Sequence, residues 1–156
     1  MNKNIKLIAT DIDGVWTDAK MHYTKDGDFM KSFSTYDGMG VEMLRNKNIE
    51  TVIMTSENSD IVLQRAKKLK IKEVHINEQN KLERLKKICL DKKIELNEVA
   101  YIGDDINDIE VLENVGLSAL TNNSPIKQQI KVDYITEKKG GDGAFREFAE
   151  LILKEI

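Results

Sequence analysis

The chain is expected to fold as an α/β protein, a three-layer sandwich of helices around a parallel sheet, with a β-hairpin inserted after the first strand. Two observations predict this. Short apolar-rich runs at 5–10, 49–54, 73–76, 99–102, 117–120 and 132–135 alternate with helical-period segments over most of the chain, and such alternation packs as parallel strands joined by right-handed crossovers. The exception lies at 20–33, where two short alternating segments flank Lys25-Asp-Gly-Asp28 before any helix begins, which is the pattern of a hairpin.

Composition sets the outer limits. The 156 residues fit one domain, 1–156, long enough to bury a real core, and 40% hydrophobic with 33% charged residues suits a soluble globular protein. A formal net charge of −3 argues against a nucleic-acid partner or an anionic membrane surface. No apolar run approaches the roughly 20 residues that span a bilayer, and Met1-Asn-Lys-Asn4 leads into no signal-peptide core, so the expected compartment is the cytoplasm. The one cysteine, Cys89, has no partner for an internal disulfide; its place among Leu85, Ile88 and Leu90 reads as a buried structural thiol.

The first strand ends in Asp11-Ile-Asp13-Gly14. Side chains two apart share one face of a strand, so both carboxylates are expected to point into the space beyond its carboxyl end, where open α/β sheets bind ligands. Two close carboxylates stay ionised together only with a cation between them, although a strand running into an Asp-Gly turn would leave the same letters. The hairpin's exposed edges and aromatic residues need cover, which points to an oligomer contact, and His22 reads as one of its surface residues. Asp37 is then expected to cap a helix to about residue 47, with Met39, Met43 and Leu44 inward. The strand at 49–54 ends in Thr55-Ser56-Glu57, and Ser59 or Asp60 opens a helix with Val62, Ala66 and Leu69 on its apolar face and Ile61, Arg65 and Lys68 on a separate stripe.

In the short strand at 73–76, His75 fills the pleat. Asn80 caps a helix to about residue 93. Lys81 falls in its first turn, where the macrodipole disfavours a cation unless an anion is near. The strand at 99–102 runs into Gly103-Asp104-Asp105-Ile-Asn-Asp108, a second acidic cluster at a strand-to-helix turn. Two further strands, 117–120 and 132–135, enclose a brief helix starting near Pro125. Glycines 140, 141 and 143 precede a final amphipathic helix buried through Phe148, Leu151 and Ile152; they supply either a turn or a close backbone approach to a phosphate. The whole is a Rossmann-like order of elements.

Side by side, the strand ends bring together Asp11 and Asp13, Thr55, Lys81, and Asp104 with Asp105 and Asp108. Hard oxygen ligands without His or Cys suit Mg²⁺, and a lysine and a threonine hydroxyl beside them make a cradle for a phosphoryl group. One carboxylate can attack phosphorus while the other protonates the leaving oxygen and then activates water.

These four segments, in this order, resemble the motifs of the haloacid dehalogenase-like phosphohydrolases. The resemblance implies that Asp11 is the nucleophile and Asp13 the general acid/base, that Thr55 and Lys81 hold the phosphoryl group, and that Mg²⁺ binds the Asp11 carboxylate, the Asp13 backbone carbonyl and Asp104. Asp105 and Asp108 would support the metal through water or through its other ligands. The stretches 19–36 and 82–103 leave no room for a cap domain.

The hairpin after Gly14-Val-Trp16-Thr-Asp18, the Asp37-Gly-Met-Gly40 segment and the tail Gly140-Gly-Asp-Gly-Ala-Phe-Arg-Glu147 are further similar to the capless phosphatases of 3-deoxy-octulosonate 8-phosphate and nonulosonate 9-phosphates. That group implies a homotetramer in which hairpins form a shared barrel and a neighbour's tail, with Gly140 and Gly141, covers each active site.

Within the group, octulosonate enzymes read Thr-Gly-Arg where this chain has Thr55-Ser56-Glu57. Glu57 with Lys68 and Trp16 looks more like the phosphatases of 2-keto-3-deoxynonulosonate 9-phosphate, although Ser56 departs from their usual glycine. The expected substrate is therefore a nine-carbon sugar-acid phosphate of deaminoneuraminate or neuraminate type, contacted by Ser56, Glu57, Arg65 and Lys68; Arg65 and Lys68 could alternatively meet a carboxylate across a subunit interface. The eight-carbon ester is the alternative. A phospho-receiver domain and a non-catalytic tetramerisation module are the readings of another class: Asp13 argues against the first, and the intact set Asp11, Asp13, Lys81 and Asp104 against the second.

Overall fold

In a computed structural model, residues 4–155 are described. The elements run β1 (Leu7–Thr10), the hairpin strands β2 (His22–Thr24) and β3 (Gly27–Met30), α1 (Thr35–Arg45), β4 (Glu50–Met54), α2 (Asp60–Lys68), β5 (Glu73–His75), α3 (Lys81–Lys92), β6 (Val99–Gly103), α4 (Ile109–Leu112), β7 (Leu117–Leu120), β8 (Tyr134–Ile135) and α5 (Ala144–Glu155). Six strands form one sheet in the order β5-β4-β1-β6-β7-β8, and the hairpin stands apart as a two-stranded sheet. Every pairing within the large sheet is parallel. From β1 the chain builds outward to β4 and β5, then returns to place β6 on the other side of β1. A crevice opens where the order reverses, so the C-terminal ends of β1 and β6 are the ligand-binding place of this topology.

Strand periodicity divides the core into two faces. Leu7 and Ala9, Val52 and Met54, and Val99 and Tyr101 point to one side, with Leu85, Ile88 and Cys89 of α3 and Val111 and Leu112 of α4. Ile8, Ile53, Ala100 and Ile102 point to the other, with Val41 and Leu44 of α1, Val62 and Ala66 of α2, and Phe145, Phe148 and Ile152 of α5. This is the expected three-layer sandwich, each central strand buried on both faces. The only insertion between β1 and α1 is the hairpin, and no cap domain is present among the described residues. Cys89 is buried as expected, and burial raises its thiol pKa. Among the described residues no helix is long and apolar enough to cross a membrane.

Four local expectations are corrected. The first helix begins at Thr35 and is capped by Ser34, whose Oγ accepts from the Tyr36 N–H at 3.2 Å; Asp37 lies inside its first turn. The helix is also rotated, with Gly40, Val41 and Leu44 inward and Met39 49% exposed. The reason is close packing on α5: a Cβ at Gly40 would stand 3.2 Å from the Arg146 Cα. Residues 125–130 form turns and a bend instead of a helix; at their start the Ser124 hydroxyl accepts from the Ile126 N–H at 3.3 Å and donates to the Asp104 carbonyl at 2.6 Å, which ties the segment to the β6 loop. The last strand is shorter than expected, since Asp133 turns its carboxylate onto the Ser118 N–H at 2.9 Å in place of a ladder bond.

Asp37 is wholly buried. Its Oδ1 accepts the Arg146 N–H at 2.9 Å and its Oδ2 finds no partner among the described residues. Burial pushes its pKa up to about 6. A raised carboxyl holds its proton in the folded state after the unfolded chain has released it near pH 4, so the ionised form costs stability above about pH 6. Asp37→Asn keeps the Oδ1 acceptor and is expected to raise stability at pH 7.5 by on the order of 1–3 kcal/mol, an advantage that fades as pH falls through 6 toward 4. Urea unfolding of both proteins at pH 7.5 and 5 checks this; a variant less stable at pH 7.5 would show that ionised Asp37 stabilises the fold.

Candidate active site

The loop after β1 is fixed before any ligand is considered. Trp16, fully buried, packs on Phe145 with ring centroids 4.8 Å apart and donates from Nε1 to Thr10 Oγ1 at 3.0 Å. Thr10 in turn donates to the Asp11 carbonyl at 2.7 Å. Gly14 has φ +85°, and a Cβ there would overlap the Asp104 carboxylate. Only glycine lets this loop close on the β6 loop. The Gly14 carbonyl accepts from Thr121 Oγ1 at 3.2 Å, and its N–H donates to Thr17 Oγ1 at 3.2 Å.

Three carboxylates meet at this point. Oxygens of Asp11, Asp104 and Asp108 lie within 4.8 Å of one another, and all three residues are buried. Lys81, itself buried, reaches from the first turn of α3 to Asp11 Oδ1 at 3.1 Å and Asp108 Oδ1 at 2.8 Å. That is the anion its position at a helix start demands. Burial alone would lower the Lys81 pKa, but Asp11 and Asp108 outweigh it and raise the value. One ammonium does not balance three carboxylates: burial, then the charge of Asp108, raises Asp11 to about 7, and burial, then Asp11 and Asp108, raises Asp104 to about 8.

Asp108 is fully engaged. Its Oδ1 accepts from Lys81 and the Tyr101 hydroxyl, and its Oδ2 accepts the N–H of Asp104 at 2.9 Å and of Asp105 at 3.4 Å. Its role is to orient Lys81 and the 103–105 loop, while Asp11 and Asp104 keep oxygen capacity for a hard cation. Such a crowd of oxygen donors, short of positive charge, fits a divalent ion of the Mg²⁺ kind.

A cleft of about 260 Å³ opens over the cluster, lined by Asp11, Asp13, Ala19, Met21, Thr55, Ser56, Glu57, Asp104, Asp105 and Asn107. The structure thus brings together Asp11, Asp13, Thr55, Ser56, Glu57, Asp104 and Asp105 at one opening, with Lys81 and Asp108 beneath. Asp105 stays outside the carboxylate cluster, its Oδ1 capping the Ile106 N–H at 2.7 Å. Asp13 is also outside it and is held by Lys31, with Nζ at 2.6 Å from Oδ1.

The remaining expected contacts fall elsewhere within this chain. Arg65 donates to the Ser34 carbonyl at 3.2 Å and stacks 5.6 Å over Phe33, because α2 packs that face on the hairpin's exit. Lys68 is exposed on the same helix, outside the cleft lining. Trp16 is buried in the core and is not among the residues lining the cleft. Within this chain Gly140 and Gly141 approach protein backbone: a Cβ at Gly140 would overlap the Gly14 carbonyl, and the Gly141 N–H donates to the Val15 carbonyl at 3.1 Å.

Sequence reasoning missed Lys31, Tyr101 and Asn107. Tyr101 carried a signal, since a phenol in a buried strand needs a partner for its hydroxyl. Asn107 donates to Ser56 Oγ at 2.9 Å and ties the β6 loop to the β4 loop.

Comparison with known proteins decides the family. A model of haloacid dehalogenase-like hydrolases matches residues 47–148. The 3-deoxy-D-manno-octulosonate 8-phosphate phosphatase of Haemophilus influenzae is 34% identical over 152 residues, 97% of this chain and 84% of that protein. The chain belongs to the haloacid dehalogenase-like hydrolases. Like its relatives in this family it is a phosphoric monoester hydrolase.

Among solved structures, the Moraxella catarrhalis octulosonate phosphatase, bound to magnesium, phosphate and the sugar acid, is 38% identical with TM-score 0.93 over 98% of this chain and 88% of that one. The cobalt-bound Haemophilus influenzae enzyme is 33% identical with TM-score 0.93, covering 98% and 90%.

The raised carboxyls give the family's metal site a pH signature. The folded protein holds protons on Asp11 and Asp104 that the unfolded chain releases near pH 4, so without metal it loses stability as pH rises through 7 to 8. A cation binds the ionised form. Millimolar MgCl₂ is therefore expected to raise the melting temperature more at about pH 8 than at about pH 6, read by calorimetry in chelator-treated protein. Equal shifts would place the metal away from these carboxylates.

Proposed function

We propose that this haloacid dehalogenase-like hydrolase removes phosphate from a 2-keto-3-deoxy sugar-acid phosphate through an aspartyl-phosphate on Asp11. The carrying observation is that Lys81 bridges Asp11 and Asp108 at the floor of the cleft that Asp13 and Thr55 line. Lys81 and Ile12 N–H both donate to Asp11 Oδ1, the latter at 2.8 Å, which fixes the attacking group's orientation. Asp11 attacks phosphorus; the leaving sugar oxygen takes a proton from Asp13. Asp13, now a base, draws a proton from water, which hydrolyses the acyl phosphate and regenerates Asp11 with release of inorganic phosphate. Lys81 and the Thr55 hydroxyl bind the phosphoryl oxygens. Mg²⁺ held by the carboxylates of Asp11 and Asp104 and the backbone carbonyl of Asp13 would supply the positive charge that lets a phosphate dianion approach these aspartates.

For the substrate, the relatives support 3-deoxy-D-manno-octulosonate 8-phosphate, since their likeness runs over nearly the whole chain. The nine-carbon reading rests on one loop. Glu57, exposed on the cleft wall, still favours it as the second reading, because a carboxylate there alters what the distal end of the substrate carries. A homotetramer is supported by the hairpin and its surroundings, where Tyr23, Phe29 and Tyr36 are 63%, 59% and 68% exposed. In such an assembly Arg65, Lys68 and the segment holding Gly140 and Gly141 would be judged against the neighbouring subunit.

Phosphate release from the octulosonate 8-phosphate and a nonulosonate 9-phosphate, side by side with MgCl₂, tests the reading. The eight-carbon ester is expected to turn over with the higher kcat/KM, and Asp11→Asn to lose activity on both by on the order of 10³-fold or more. A preference for the nine-carbon ester would reassign the substrate to Glu57's side; turnover by Asp11→Asn would end the covalent mechanism.

A further inference from the structure

We propose that Lys31, which lies outside the four motifs, is the positioning residue of Asp13 and makes the hairpin part of the proton-transfer apparatus. Lys31 follows β3 directly, yet its side chain is 0% exposed. Its Nζ lies 2.6 Å from Asp13 Oδ1, 3.7 Å from Asp28 Oδ2 and 3.6 Å from Met21 Sδ. Asp28 is braced in turn by the hydroxyl of Ser59, the residue before α2, at 3.2 Å. One ammonium thus links the motif loop, the hairpin and the start of a core helix.

The effect on Asp13 is directional. Oδ1 is taken by Lys31, whereas Oδ2 is shielded from solvent and has no hydrogen-bond partner among the described residues. A carboxylate's terminal torsion is soft and two-fold, so without Lys31 either oxygen, at a range of angles, would face the cleft. With Lys31 in place the carboxylate is pinned and Oδ2 is the oxygen left to give and take the proton. Proton transfer demands that geometry first. Burying a lysine is costly unless it is paired, and a mere tether for the hairpin would be served as well by an apolar side chain against Met21.

The proposal rests on the reading of Asp13 as general acid/base, and the test separates the two. In a covalent mechanism kcat/KM reports the first half-reaction, in which the leaving group departs. A sugar alkoxide needs the acid; p-nitrophenolate leaves without it. Wild type, Lys31→Met, Lys31→Arg, Asp13→Asn and the Lys31→Met/Asp13→Asn double variant are compared on 3-deoxy-D-manno-octulosonate 8-phosphate and p-nitrophenyl phosphate.

Lys31→Met is expected to lower kcat/KM on the sugar ester by about 10- to 100-fold more than on the aryl ester. Lys31→Arg, which keeps a cationic donor, is expected to restore much of the ratio, and it stands as the readable variant if Lys31→Met does not fold. The double variant should be no slower than Asp13→Asn. Equal losses on both esters, or an additive loss in the double variant, would leave Lys31 a structural tether and overturn the proposal. If Asp13→Asn itself shows no dependence on the leaving group, the proposal falls together with the reading of Asp13.

Discussion

Like charges confined at one sheet edge set the terms for this structure. Asp11, Asp104 and Asp108 are buried within mutual reach, and among the described residues Lys81 is the cation paired with them. Such a cluster resists folding unless each oxygen is given a donor or a cation. Much of the surrounding architecture answers that demand: backbone N–H groups and the Tyr101 hydroxyl converge on Asp108, and Lys81 divides its ammonium between two carboxylates. The charge still unbalanced on Asp11 and Asp104 is what makes the place suited to a divalent cation and a phosphate ester.

The topology makes that crowding possible at low cost elsewhere. Because β1 stands between β4 and β6 in a parallel sheet, three strand ends and the start of α3 open on the same side, while the apolar residues of each strand serve two separate cores. Close approach is then a matter of glycines. Gly14 lets the β1 loop touch Asp104, and Gly140 lets the tail lie on the Gly14 carbonyl. Trp16, Phe145 and Thr10 lock the same loop from the core side. A change at Gly140 or Trp16 therefore acts on the active site through backbone position.

The hairpin has two sides with different chemistry. Outward it shows Tyr23 and Phe29, apolar surface of the kind that assembly covers. Inward it sends Lys31 to Asp13 and Asp28 to Ser59. Whatever packs on the outer face is thereby mechanically connected to Asp13 through Lys31.

The sequence by itself determined the α/β class, the order of strands and helices, and the meeting of Asp11, Asp13, Thr55, Lys81 and Asp104 at one end of the sheet. Those signals are local: period-two apolar runs, carboxylates at strand ends and a lysine at a helix start are written in neighbouring residues. Other features needed the tertiary structure because they join residues remote in the chain. Lys31 sits in an unremarkable alternating segment, and only the folding back of the hairpin brings it to Asp13. Asp37 reads as a cap, yet contact with Arg146 of α5 buries it inside the helix. Arg65 reads as a ligand for substrate, and packing against Phe33 and Ser34 turns it to the hairpin. Glycines 140 and 141 fit phosphate and turn equally well as letters; docking onto the β1 loop decided their use within this chain. A residue's type limits the partners it accepts, but which partner it meets depends on chain segments from 18 to 109 positions away.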